Sequence, residues 1–157
     1  MRRRMKNDLQ LKRELYMKCV NFVEDRYSKI QNQINGIQES LTSETKSSAG
    51  DKHETGRAML QLEREKAGQQ LAEVEKLKEA LSKIDVDKTS EIIGMGSVIT
   101  TSSANYFIAI SAGQMTVNSQ SFFVISPNTP IGLLLMGKKF GDAIVFRDHT
   151  FVIESVG

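Results

Sequence analysis

A single cysteine, Cys19, in 157 residues allows no intrachain disulfide and no cysteine-based zinc site. The two histidines, His53 and His149, stand too far apart in sequence to suggest a histidine-rich metal site. Tryptophan is absent and aromatics make up 6%. No apolar run approaches the roughly 18 residues that a membrane-spanning helix requires. The segment Met1-Arg2-Arg3-Arg4-Met5-Lys6 leads into polar sequence instead of an apolar signal core, so a cytoplasmic protein with no membrane association is expected. A formal net charge of only +2 argues against a generally basic nucleic-acid coat. What is present, 39% hydrophobic and 25% charged residues, suffices for one modest core and exceeds what a disordered chain carries.

The charge is unevenly placed. Residues 1–88 hold 18 of the 21 basic and 15 of the 19 acidic residues, leaving 3 and 4 for residues 89–157. Both prolines, Pro127 and Pro130, most glycines and most phenylalanines fall in the second part. Two domains are therefore expected, 1–88 and 89–157, with a linker near Asp85 to Glu91.

In the first part, Tyr16, Val20, Val23, Tyr27, Ile30, Ile34, Ile37 and Leu41 recur at alternating steps of four and three, a coiled-coil seam. A second stripe passes through Ala67, Gln70, Val74, Leu77, Leu81 and Ile84, widened by Leu60, Leu62 and Leu71. Thr45-Lys46-Ser47-Ser48-Ala49-Gly50 between them suits a tight reversal. Neither stripe is stable alone, so the reading is an antiparallel helical hairpin. With helices of about 35 residues it would be a rod on the order of 50 Å long, carrying its turn away from the remainder of the chain. Seven basic residues between Arg2 and Lys18 against Asp8 and Glu14 read first as a solvated helix start, and second as a contact for nucleic acid or an acidic surface.

The second part reads as short strands at Ser97 to Thr101, Tyr106 to Ser111, Met115 to Val117, Ser121 to Ile125, Ala143 to Phe146 and Thr150 to Ile153. Thr129 and Pro130 open one short helix, which Ile131 to Met136 carry and Gly137 ends. The expected fold class is α+β: a helical hairpin followed by a small antiparallel sheet closed by one helix. Leu133, Leu134, Leu135 and Met136 read as a core helix first and a docking face second.

The run from Ile125-Ser126-Pro127-Asn128-Thr129-Pro130-Ile131 to Gly137-Lys138-Lys139-Phe140-Gly141-Asp142 resembles the C-terminal domain of the Gre transcript-cleavage factors. That family typically reads I-S-x-x-S-P-I-A-x-x-L-L-G-K-x-x-G-D there. The match by residue covers about the last third of the chain and the hairpin turn; the layout covers nearly all of it. Gly50-Asp51-Lys52-His53-Glu54 is similar to the family's G-D-x-x-E, whose two acids are its functional carboxylates. The resemblance implies an FKBP-like C-terminal domain and entry of the rod into the secondary channel of bacterial RNA polymerase. There Asp51 and Glu54 would share the polymerase's Mg²⁺ beside the RNA 3′ end and promote cleavage of a backtracked transcript. It further implies that the chain is not an enzyme alone but lends an activity to its partner.

From spacing alone, Asp51 and Glu54 lie on nearly the same face of a first helical turn, where they can reach one cation. They equally form a capping box at the positive end of the helix dipole. Gly56, Arg57 and Ala58 stand where the family continues N-A-E-Y, and about ten more residues than usual precede Asp51. Three other readings follow: a regulator or inhibitor of polymerase that stimulates no cleavage, a structural coiled-coil adaptor, and a prolyl isomerase, for which residues 89–157 hold few aromatics.

Overall fold

The computed structural model describes the backbone of residues 2–46 and 51–157, and the side chains of 8–43 and 55–157. Two long helices come first, α1 (Arg2–Lys46) and α2 (Asp51–Ser82). They are followed by β1 (Val98–Thr101), β2 (Asn105–Ile108), β3 (Gly113–Val117), β4 (Gln120–Ile125), α3 (Pro130–Leu135), β5 (Ala143–Phe146) and β6 (His149–Val156). The fold is α+β. None of the described helices is long and apolar enough to cross a membrane. At 45 residues α1 exceeds the expected length, because buried positions continue below Tyr16 at Leu15 and Lys12.

The chain divides into two compact units, one of residues 1–22 with 79–157 and one of residues 23–78. In the second, Ile34, Ile37 and Ala67 form a buried cluster against which Ile30, Leu41, Leu60 and Leu71 pack. The α1 stripe faces inward as its spacing requires. On α2, Leu71 takes the seam position where the sequence suggested Gln70, which is exposed, and Leu62 is 55% exposed. Steps of four and three from Ala67 run through Leu71 and Val74, leaving Gln70 and Leu62 off the stripe. Lys78 fastens α2 to α1 within this unit, with Nζ 3.3 Å from Glu24 and 3.7 Å from the centroid of the Tyr27 ring.

In the other unit the six strands form one sheet in the order β3-β4-β2-β1-β6-β5. The expectation of a purely antiparallel sheet is corrected here: β2 and β4 pair in parallel, Tyr106 with Phe123 and Ile108 with Ile125, while the other four pairings are antiparallel. The chain leaves β2, turns at Asn118-Ser119 after β3, and lays β4 between β3 and β2. Alternation of apolar residues reports which face a side chain takes and is silent on strand direction. Ile99, Ile108, Phe151 and Ile153 on one face, with Ile93 and Ile144, enclose Leu135 of α3, and Ile131 and Met136 pack alongside. Val98, Phe107, Phe122 and Val124 are buried as well.

Within the same unit the first part of α1 is fastened to the last turn of α2 and the segment after it. Tyr16 donates its hydroxyl to the Leu81 carbonyl at 3.2 Å, Lys12 Nζ donates to the Lys88 carbonyl at 2.7 Å, and Arg13 pairs with Asp87. The reading of this region as a solvated helix start is therefore corrected at Lys12, which is 4% exposed. A charged head can be taken inside when a carbonyl and an acid meet it, and Asp85 supplies the opposing charge.

Candidate functional site

The two acids singled out in the sequence fall where the second long helix begins. α1 ends at Lys46 and α2 starts at Asp51, so Asp51 and Glu54 share its first turn. Of the reversal expected at Thr45 to Gly50, residues 47–50 lie outside the described residues, as do the side chains of Asp51, His53 and Glu54. Among the side chains that are described, Leu41 and Leu60 pack on the Ile34, Ile37 and Ala67 cluster and join the two helices on the approach to that turn. Thr42 Oγ1 donates to the Gln38 carbonyl at 3.0 Å, and a shallow polar hollow is lined by Asn35, Gln38, Glu39, Thr42 and Ser43. Met59 is 61% exposed and Leu62 55% exposed on α2 after the turn.

Among the described residues, no group of three histidine, cysteine or acidic side chains converges in a way that could hold a metal ion. Two carboxylates a helical turn apart suit a hard divalent cation that keeps several of its waters and draws its other ligands from elsewhere. Asp51 and Glu54 provide that donor set in sequence order.

The second region of interest, Ser126 to Asp142, owes its residue types to backbone needs. Thr129 is the N-cap of α3: its Oγ1 accepts from Gly132 N–H at 3.1 Å and donates to the Ser126 carbonyl at 2.8 Å. A Cβ on Gly132 would lie 2.4 Å from the Ser126 oxygen and 2.7 Å from Thr129 Oγ1, so glycine is needed for the loop to close over the helix start. Pro130, with no N–H to satisfy, takes the first helical position. Gly137 and Gly141 adopt φ of 80° and 86°, a region costly for other residues. Gly137 N–H donates to the Ile93 carbonyl and Ile93 N–H to the Lys138 carbonyl, which pins the end of α3 to the segment before β1. Asp142 Oδ2 accepts from Lys139 N–H at 2.9 Å and closes the turn into β5.

Of the exposed apolar groups around this run, sequence reasoning singled out Leu133 and missed Phe140 and Ile92. Leu133 is 64% exposed, Phe140 72% and Ile92 57%. Leu135 is fully buried, so the helix is a core element, as the first reading of Leu133 to Met136 has it, with Leu133 on an outward face. A Phe in a Lys-Lys-Phe-Gly turn carries the only signal available beforehand, an aromatic where the neighbouring residues are polar. Cys19 is buried, and burial pushes its thiol up to about 12, consistent with a packing role. Tyr106 lies between Phe123 and Phe151, with ring centroids 5.9 and 6.5 Å away, and burial raises its phenol as well.

No protein-family model matches the chain, and no curated protein matches its sequence.

Proposed function

We propose that this chain is a Gre-type accessory factor of bacterial RNA polymerase, whose hairpin delivers Asp51 and Glu54 to the polymerase's metal site. The observation that carries the reading is the joining of two features in one chain. A long two-helix hairpin has G-D-x-x-E where its second helix begins, and an α+β unit bears the Thr129-Pro130-Ile131 to Gly141-Asp142 run. In this reading the mixed sheet with α3 against one face is an FKBP-like domain that anchors the factor on the polymerase, while the hairpin enters the channel. The protein acts in the cytoplasm and has no catalytic activity alone.

The chemistry assigned to the turn is modest and depends on the partner. A shared Mg²⁺, when bound, lowers the pKa of a coordinated water and steadies charge on the leaving oxygen of a phosphodiester. Asp51 and Glu54 offer hard oxygen donors to that ion and accept hydrogen bonds from the attacking water, which fixes its direction. Two carboxylates on a helix turn bind Mg²⁺ weakly by themselves, so the activity appears only in the complex. Gly132 departs from the alanine of the family pattern, and in this chain the Ser126 carbonyl occupies the place a methyl group would take.

A second reading, a channel-binding regulator that stimulates no cleavage, is favoured by Gly56, Arg57 and Ala58, which remove the acidic and aromatic residues that usually follow the diad. One assay separates the two. A stalled, backtracked elongation complex is incubated with the native chain and with the Asp51→Asn, Glu54→Gln double variant, with and without Mg²⁺. Shortening of the RNA by the native chain in Mg²⁺, reduced about 100-fold or more in the variant, is the expected result. Binding without shortening would replace the cleavage reading with the regulator. Absence of binding would end both.

A further inference from the structure

The sheet has two edges, β3 and β5, and they differ in kind. Neither carries a charge or a proline to discourage pairing, but β3 reads Gly-Gln-Met-Thr-Val, polar at alternate positions, whereas β5 reads Ala-Ile-Val-Phe, apolar throughout. Arg147 and Asp148, both at positive φ, form the two-residue turn between Phe146 and His149. A two-residue turn makes Phe146 with His149 a hydrogen-bonded pair, so by alternation Ile144 with Phe151 is the next. Ala143 and Val145 therefore direct their N–H and C=O groups away from β6, along the open edge. Their side chains are exposed, Val145 by 65%, while Ile144 faces the core. In the turn before β5, Phe140 joins Ile92, Glu91, Lys139 and Val156 in lining a cleft of about 590 Å³.

Charge at the two ends of this strand points to what would pair with it. Lys138, Lys139 and Arg147 are the three basic residues of the chain after residue 88, and they border β5 before and after. None of them forms an ion pair among the described residues. The nearby acids are differently employed or placed: Asp142 holds the Lys139 N–H, Asp148 shares the turn with Arg147, and Glu91 sits in the cleft. Arg147 lies 5.1 Å from the centroid of the Phe146 ring, which holds its charge beside the end of the strand.

We propose that the open edge of β5 receives an extended segment of a partner protein, apolar at alternate positions and acidic at both ends, which adds to the sheet as a further strand. Main-chain bonds to Ala143 and Val145 give the affinity. Val145 and the apolar cleft read alternate side chains, and Lys139 and Arg147 meet the acidic ends. This proposal does not depend on the metal chemistry assigned to the hairpin, since it uses no residue of the hairpin.

The test is an amide-resolved NMR titration of the full chain with a capped peptide, Asp-Asp-Val-Thr-Val-Thr-Val-Asp-Asp, and with the same peptide carrying lysines at its ends. The expected result is a set of shift changes centred on residues 143–146, with slower exchange of the Ala143 and Val145 amides and about tenfold weaker binding of the lysine-ended peptide. Val145→Pro removes one outward donor while leaving the β6 ladder in place, and is expected to abolish binding. The Lys139→Glu, Arg147→Glu double variant, which alters only exposed side chains, is expected to reverse the preference between the two peptides. Shifts that are absent, centred on β3 or equal for both peptides would overturn the proposal. So would sedimentation of the free chain as a dimer that Val145→Pro dissociates, because the edge would then belong to a second copy.

Discussion

At the scale of single residues, the least expected group is Lys12. Its ammonium is held by the Lys88 carbonyl, and burial lowers its pKa below 10.5 while Asp85 opposes the shift. Between that lowered value and 10.5 the unfolded chain binds more protons than the folded one, so this site adds stability as pH rises through the window. Urea unfolding of the native protein and of Lys12→Met from pH 7 to 10.5 is expected to show their difference moving in favour of the native chain as pH increases. A constant difference would mean that Lys12 titrates normally. Gly36 gives the opposite kind of prediction. It lies in α1 between buried Ile34 and Ile37, and a Cβ there would meet open space. Gly36→Ala is expected to raise stability by about 0.5–1 kcal/mol, read from the urea midpoint at unchanged slope.

At the scale of elements, the strands and α3 were legible because their signals are local. Alternation about Phe151 and Ile153 follows from faces of opposite polarity, the apolar run Ala143 to Phe146 between turn residues marks β5, and Thr129-Pro130 with Gly137 delimits a helix by capping chemistry alone. The parallel pairing of β2 with β4 was not legible, since it depends on where β4 inserts after the β3 turn. Nor was the burial of Lys12, which requires Lys88 and Asp85 to arrive from the far end of α2. At the hairpin turn, order and spacing brought Asp51 and Glu54 to notice, yet a capping box and a metal diad share that spacing, and only chemistry in solution separates them. The start of α3 offers a sharper check on local geometry. Gly132→Ala would force a methyl against the Ser126 carbonyl and the capping Thr129 hydroxyl, and is expected to cost about 1–3 kcal/mol in urea unfolding. A loss below about 0.5 kcal/mol would show that the loop shifts freely.

At the scale of the whole molecule, two units of unequal cohesion share two continuous helices. The unit of residues 23–78 relies on a narrow seam, Ile34, Ile37 and Ala67 with their neighbours, and most of its other side chains are exposed. The unit holding the sheet buries Ile93, Ile99, Ile108, Leu135, Ile144, Phe151 and Ile153 together and ties its strands across long sequence separations. Helices with one thin apolar stripe owe little of their stability to propensity and open turn by turn from a weak end, whereas a sheet strand between two others is released only when the core is. Native-state hydrogen exchange should therefore grade the molecule. The amides of Ile108 and Ile153, bonded to the Ser97 and Asp142 carbonyls, are expected to exchange with opening free energies at least about 2 kcal/mol above those of residues 57–65 of α2. Such a gradient would leave the hairpin free to open locally while the sheet unit stays folded. Equal protection in both places would mean that seam and sheet unfold as one body, and adaptation of the hairpin to a partner would then have to occur without local opening.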